Sequence, residues 1–344
     1  MTLRRVRTAV PLLAAATLAL VACGGSGGTG ADPADGQGDT SAWPSRPAEP
    51  LETEFTATTW TTPDGESWAL DVVAPVETVD GGWPVLVTFH GAAAGTSAAD
   101  MAEVARSGAV VVAPRWILPG WDETNLDALD PVEYVDGALF DVAWCALGAA
   151  QEAAAAHGGD PGLTTVEGFS AGVHPAAWVG LGVVRDNPCP ELAVTAPVAM
   201  VVGDSQWLFE GFGDEWDATF ADASSRATDT VDRFLNPDRW SVPDGFVAYL
   251  WSSEADDADR AVDDPPADDS WLRTRGGEDI VVDLEALGAF DDGSIGFLDN
   301  GLLMALRMEG AGLTVLHEQL AGEHMRKPEM VERTIAVVWG EPFG

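Results

Sequence analysis

A chain of 344 residues, 46% of them hydrophobic, is long enough to bury one sizeable core, and α/β domains reach this length as single units. Against 17 Lys and Arg stand 56 Asp and Glu, a formal net charge of −39. That excess argues against nucleic acid as a partner, because phosphate binding needs a basic surface, and against adsorption to anionic headgroups; its plain reading is a soluble, highly acidic surface.

The chain begins with a targeting pattern. Arg4, Arg5 and Arg7 form a positive cluster, and Ala9 to Ala22 is an apolar run too short to span a bilayer comfortably. The run ends in Leu20-Val21-Ala22-Cys23, followed by glycines, which resembles the lipobox of bacterial lipoproteins. The resemblance implies a signal peptide over 1–22, a diacylglycerol on the Cys23 thiol, and an exported protein held at the extracellular face of the cell membrane. Loss of the three arginines would take the net charge from −39 to −42. Residues 23–50 are mostly Gly, Ser, Asp and Pro; such a stretch cannot repay its ordering entropy and reads as a flexible tether. The remainder, 51–344, reads as one domain.

Within it, Glu54–Thr61 and Ser67–Val73 alternate as two antiparallel strands should. Pro84–Phe89 and Ala109–Ala113 are short β-branched runs of the kind found in buried parallel strands, with a helix over Ala98–Arg106 between them. A long Ala-rich helix is expected over Val135–Ala156, a strand over Thr164–Glu167, and a helix reaching Val184. Pro197–Val202, Phe246–Trp251 and Leu313–Leu316 complete the strands, and Pro328–Trp339 is the closing helix. This alternation predicts a mostly parallel sheet with helices on both faces.

The chemistry centres on Gly168-Phe169-Ser170-Ala171-Gly172, set between a strand and a helix. Gly-x-Ser-x-Gly in that context is a nucleophile elbow: a tight strand-to-helix turn that projects the serine hydroxyl above the sheet, with glycines where the two elements pass closely. The N–H of Ala171, at the start of the helix, is aimed to serve as one oxyanion donor. His90-Gly91-Ala92-Ala93 directly follows the Pro84–Phe89 strand, and Ala92, with Ala93 next, is the candidate second donor. Loss of one such donor costs about 3 kcal/mol of transition-state stabilisation. His90 itself reads as a loop-fixing residue.

A general base should follow the last strand. His324, in the loop Ala321-Gly322-Glu323-His324, fits best, and His317, read as a strand-end residue, is the fallback. His157 closes a helix, and His174 sits in the first helical turn after Ser170, where it suits local packing. The acid should follow the strand before last. Ser252 to Asp259 is rich in acids: Asp256 ranks first, Asp259 second for its Asp-x-x-Val context, and Asp257 third. All but one of these carboxylates must belong to a solvated acidic loop.

With these residues in view, the chain resembles the esterase/lipase branch of the α/β-hydrolase superfamily, near the small carboxylesterases and the feruloyl-esterase-like and dienelactone-hydrolase-like members. The segment from Ala156 through Gly158-Gly159-Asp160-Pro161 to the elbow and His174 carries the resemblance most specifically. It implies a catalytic domain over 51–344 and a Ser170–His324–Asp256 triad that hydrolyses a small carboxylic ester through an acyl-enzyme. Three departures stand out: His-Gly-Ala-Ala in the oxyanion loop, an insertion at 203–244, and an acidic insertion at 257–270. The 203–244 stretch holds Trp207, Phe209, Phe212, Trp216, Phe220, Phe234 and Trp240, which suit either a cap lining an acyl or alcohol pocket or simple packing. No metal motif and no cofactor fingerprint appears, so neither is expected. A serine peptidase or amidase of the same fold, or a catalytically silent binding lipoprotein, are the competing classes. Cys145 lies on the helix before the elbow strand and Cys189 just beyond the helix after it, those helices are expected to be neighbours, and an exported chain meets oxidising conditions, so a disulfide between them is expected.

Overall fold

The computed structural model describes residues 43–91, 98–116, 136–204, 225–253, 297–322 and 326–341, all within the compact unit Gly38–Gly344. Among them, no helix is long and apolar enough to cross a membrane. Eight strands form one sheet in the order β1-β2-β4-β3-β5-β6-β7-β8: β1 Thr53–Thr61, β2 Ser67–Pro75, β3 Trp83–Phe89, β4 Val110–Pro114, β5 Gly159–Phe169, β6 Ala199–Gly203, β7 Val247–Ser253 and β8 Thr314–Leu320. The β1–β2 and β2–β4 pairs are antiparallel, and every pair from β4 onward through β3 to β8 is parallel.

Burial explains the sequence of each strand. Every residue of β3, β4 and β6 is buried, as strands covered on both faces must be, and they are accordingly continuous apolar and β-branched runs. The edge strand β1 is largely exposed and is pinned by a Trp60–Trp68 cross-strand pair, edge-to-face at 5.6 Å. Its hairpin turn closes through hydrogen bonds from the Thr62 N–H to the Glu66 carbonyl and from the Gly65 N–H to the Thr62 carbonyl.

Helices α1 (Ala102–Arg106), α2 (Ala138–Ala156), α3 (Val173–Gly180), α4 (Ser225–Leu235), α5 (Phe297–Gly310) and α6 (Pro328–Val338) follow in chain order; all but α4 pack against the sheet, and α4 sets its Phe234 against Phe140 of α2 and Trp178 of α3. Alternation along β5 shows both faces covered: Val166 points to α3, where a Cβ on Gly180 would meet its Cγ2 at 3.1 Å, while the next residue, Glu167, points the other way to Arg326 at the start of α6. The predicted α/β-hydrolase architecture, a mostly parallel central sheet with helices on both faces, is what the chain forms.

Several helix boundaries moved for identifiable reasons. The expected Ala98–Arg106 helix opens with a 3₁₀ turn, Ala98–Met101, and becomes α-helical only at Ala102. The helix expected from Val135 starts at Ala138, because Gly137 sits at φ 77°, a left-handed conformation that cannot continue a helix; the Asp136 carboxylate caps the Ala138 N–H instead. The helix expected to reach Val184 stops at Gly180. Gly182 adopts φ 63°, and Val183 N–H returns to the Trp178 carbonyl, a Schellman closure. Helix α5 was not anticipated. Its buried Leu303, Met304 and Met308 share a face, and Gly312 at φ 83° closes it in the same Schellman way, so its signal was present in the sequence.

A disulfide joins Cys145 on α2 to Cys189 beyond α3, tying together two helices that also pack on each other.

Candidate active site

Parallel strands deliver their C-terminal ends to one edge of the sheet, where α/β proteins place their ligand crevice. Register fixes which residues meet there: Phe89 pairs with Gly168, Phe169 with Gly203, Gly203 with Trp251, and Ser253 with Leu320. The chain segments that lead to the candidate residues therefore leave the sheet from the tips of β3, β5, β7 and β8, which share this edge.

Ser170 is the residue immediately after β5. It adopts φ 55°, one of only two non-glycine residues with positive φ among those described. For a residue with a Cβ, this conformation is strained, by roughly 1–2 kcal/mol, and persists only when the surroundings impose it. The surroundings do. A Cβ on Gly168 would lie 2.2 Å from the Gly172 carbonyl oxygen, and one on Gly172 would lie 2.2 Å from the Phe89 carbonyl oxygen. The two glycines let the strand, the turn and the tip of β3 pass within backbone contact, and that closeness forces the reversal at Ser170. Residues Ser170–Gly172 form a 3₁₀ turn leading into α3, so the Ala171 N–H belongs to the first turn after the nucleophile position.

The tip of β3 reaches the same place. A Cβ on Gly91 would lie 3.2 Å from the Ser170 Cβ and 3.1 Å from the Phe169 carbonyl oxygen, so the connection leaving β3 starts beside the serine. Ala92 and Ala93, the expected donors, lie outside the described residues. His90 is held as a loop-fixing residue: its Nδ1 is 2.9 Å from the Gly91 carbonyl, its own carbonyl accepts from Trp116 Nε1 at 3.0 Å, and its ring lies 5.8 Å from that indole. Burial lowers its pKa from 6.5 to about 4, helped by the positive charges of Arg115 and Arg326 against the opposing Gly91 hydrogen bond.

Asp256, Asp257, Asp259 and His324 lie outside the described residues, as do Cys23, Trp207, Phe209, Phe212, Trp216 and Phe220. What the structure does give is where the flanking chain stands. Strand β7 ends at Ser253, three residues before Asp256, and β8 ends at Leu320, four residues before His324. Those two tips are hydrogen-bonded neighbours.

His317 is not a strand-end residue, contrary to expectation. It lies mid-strand in β8, paired with Leu250, with its Nε2 3.2 Å from the Ser252 Oγ. A Cβ on Gly301 of α5 would lie only 2.7 Å from that nitrogen, so the ring is wedged between strand and helix. Burial lowers its pKa to about 4, against the raising effect of Glu318. His174 is fully buried among Phe140 and Phe234, at ring distances of 5.8 and 6.0 Å, as expected for a packing residue. His157 caps the C-terminus of α2 and lies 4.0 Å from Glu54. Of the insertion's aromatics, Phe234 is buried against Phe140, His174 and Trp178, and Trp240 packs on the core and donates to the Arg233 carbonyl; for these two the packing reading holds.

Two residues at this edge were missed by sequence reasoning. Asp204, directly after β6, is buried at φ 54°, and its carboxylate accepts from both the backbone N–H and the hydroxyl of Ser253. It pins the tip of β7 at the point where the acidic loop departs. Trp251 stacks on Phe169, rings 5.8 Å apart and 5° from parallel; Gly203 must be glycine because a Cβ there would sit 2.0 Å from the indole. An Asp flanked by Gly and Ser after an apolar run was the available signal for the first; the second needed the strand register.

No family model matches the sequence, and no curated protein matches it. Among solved structures, the chain is similar to a hyperthermophilic esterase from the archaeon Pyrobaculum calidifontis, with a TM-score of 0.51 and 17% identity over 85% of this chain and 87% of that one. It is also similar to the acylaminoacyl peptidase of Pyrococcus horikoshii, with a TM-score of 0.51 and 13% identity over 83% of this chain but 40% of that one. These likenesses, the strand order and the strained serine after β5 define the chain as having the α/β-hydrolase fold.

Proposed function

We propose that the protein is an exported, lipid-anchored serine esterase that hydrolyses a small carboxylic ester through an acyl-enzyme. The observation that carries this reading is the left-handed Ser170 at the end of β5, forced by the Gly168 and Gly172 contacts. A fold does not retain a strained serine for stability; strain at such a point is a hallmark of function. His324 is the general base, since an imidazole with a pKa near 6.5 suits proton abstraction near neutral pH. Asp256 holds the imidazole in the productive tautomer and stabilises the imidazolium. Ala171 and Ala92 donate to the oxyanion. The lipid on Cys23 and the tether over 23–50 hold the domain at the extracellular face of the membrane.

The test is fluorophosphonate labelling followed by turnover of a panel of p-nitrophenyl esters. Ser170→Ala and His324→Ala should each lose several powers of ten in kcat, and the double variant little more, because triad members act as a unit. A folded Ser170→Ala protein with near-native turnover refutes the reading. Asp256→Asn should cost far more than Asp259→Asn; the reverse moves the acid to Asp259. Cys23→Ser should release the protein from the membrane fraction, and unchanged association refutes the anchor. The likeness to an acylaminoacyl peptidase gives the amidase reading a place in the same panel: cleavage of aminoacyl anilides in preference to esters would favour it.

A further inference from the structure

Beneath the elbow lies an ion pair that the proposed chemistry does not use. Glu167, three residues before Ser170, is fully buried in β5, a position where a carboxylate is expensive. Its Oε2 accepts from Thr88 Oγ1 at 2.5 Å and from Arg326 Nη2 at 3.0 Å. Burial raises the Glu167 pKa; Arg326 and Thr88 act against that rise. Arg326 arrives from the connection between β8 and α6, two residues after His324. Its guanidinium lies 5.8 Å above the Phe169 ring, with Nη2 3.4 Å from Thr88 Oγ1 and Nη1 3.1 Å from Met101 Sδ. The next residue, Lys327, is buried and donates from Nζ to the Leu320 carbonyl at 3.1 Å, drawing the two ends of the β8–α6 connection together. Its Nζ also lies 5.8 Å from the Trp251 ring centre.

If holding two layers together were all that was needed, apolar side chains of similar volume would do as well or better, since a buried ion pair rarely gains net stability. What a guanidinium adds is direction: a planar, rigid set of donors fixes orientation as well as distance. Here that fixing links two short stretches of chain, one ending on the serine and the other beginning just after the histidine.

We propose that the Arg326–Glu167 pair positions His324 against Ser170, by locking the start of α6 to the strand that carries the nucleophile. This rests on the reading of His324 as the general base. Both residues are positioning residues, acting through His324 and not on the substrate. A displacement of about 1 Å between reacting groups can cost about a hundredfold in rate. Arg326→Met should therefore lower kcat tenfold to a hundredfold (order of magnitude) while KM changes less than about threefold. Arg326→Lys, which keeps the charge but not the planar fork, should fall between the two.

The decisive variants separate positioning from stability. Arg326→Met alone leaves a buried carboxylate unpaired and should lower Tm; Glu167→Gln combined with Arg326→Met removes that charge and should recover most of the Tm with kcat still depressed. In a His324→Ala background, read by the slow rate of fluorophosphonate labelling, Arg326→Met should add less than about a threefold loss, because its effect passes through the missing imidazole. Recovery of kcat together with Tm in the double variant overturns the proposal, as does a full Arg326→Met loss on top of His324→Ala. Near-native turnover by His324→Ala alone would instead refute the general-base reading itself. Should Arg326→Met fail to fold, Arg326→Lys with wild-type kcat and KM overturns the proposal on its own.

Discussion

Gly168→Ala asks whether the elbow is forced by backbone contact. The new Cβ would lie 2.2 Å from the Gly172 carbonyl oxygen, 2.6 Å from its carbonyl carbon and 2.8 Å from the Ala176 Cβ. Two of these three neighbours are main chain, which cannot rotate away, and the third is a methyl group on α3. Relief requires the strand and helix to part by about an ångström. Overpacking a closed core costs about 1–3 kcal/mol even where side chains can yield, so the upper end or more is expected here. For a domain of this size that corresponds to a fall in Tm of about 2–4 °C per kcal/mol. The same parting would move Ser170 relative to the tip of β3 and lower kcat by about a hundredfold. Gly310→Ala is the control: nothing lies within 4 Å of its Cβ position, at the end of α5, so it should be neutral or slightly stabilising. Thermal melts and ester turnover on both variants give the answer. A Gly168→Ala protein with wild-type Tm and kcat would refute the claim that main-chain contact imposes the turn.

Three further outcomes are expected. Ser170→Gly should be more stable than Ser170→Ala by about 0.5–1 kcal/mol, since glycine relieves the positive φ at some entropic cost; equal melting temperatures would show that the strain is absent. His90 and His317 are both depressed to about 4 by burial, so the unfolded chain takes up protons first as pH falls: the stability they contribute is present above 6.5 and lost as pH drops from 6.5 through 4, up to about 3 kcal/mol each. Denaturant unfolding between pH 7 and 4 should show this loss, and His317→Gln should flatten part of it. Opening the Cys145–Cys189 disulfide, which closes a loop with a sequence separation of 44, should cost up to about 4 kcal/mol; a Cys145→Ala, Cys189→Ala double variant melting with the wild type would contradict that, as would alkylation of both thiols without reductant.

The sequence by itself determined where the strands lie and the nucleophile position, because both are local signals, but not how far β5 and β8 run beyond Thr164–Glu167 and Leu313–Leu316. Fully buried β3, β4 and β6 are continuous apolar and β-branched runs, and a strand–turn–helix passing at backbone distance admits only glycine at 168 and 172, so their identities can be read without coordinates. Helix ends were less legible, since Gly137, Gly182 and Gly312 mark stops only once their left-handed φ is known. Tertiary structure alone decided what lies between distant segments. His317 belongs against Ser252 and α5 because β7 and β8 pair in that register; Asp204 serves Ser253, 49 residues away, because β6 and β7 are neighbours. Glu167 finds Arg326 across a separation of 159 residues. In the sequence a lone glutamate before the elbow looks like one more of 56 acids, and only burial, which makes an unpaired charge untenable, reveals that it needed a partner.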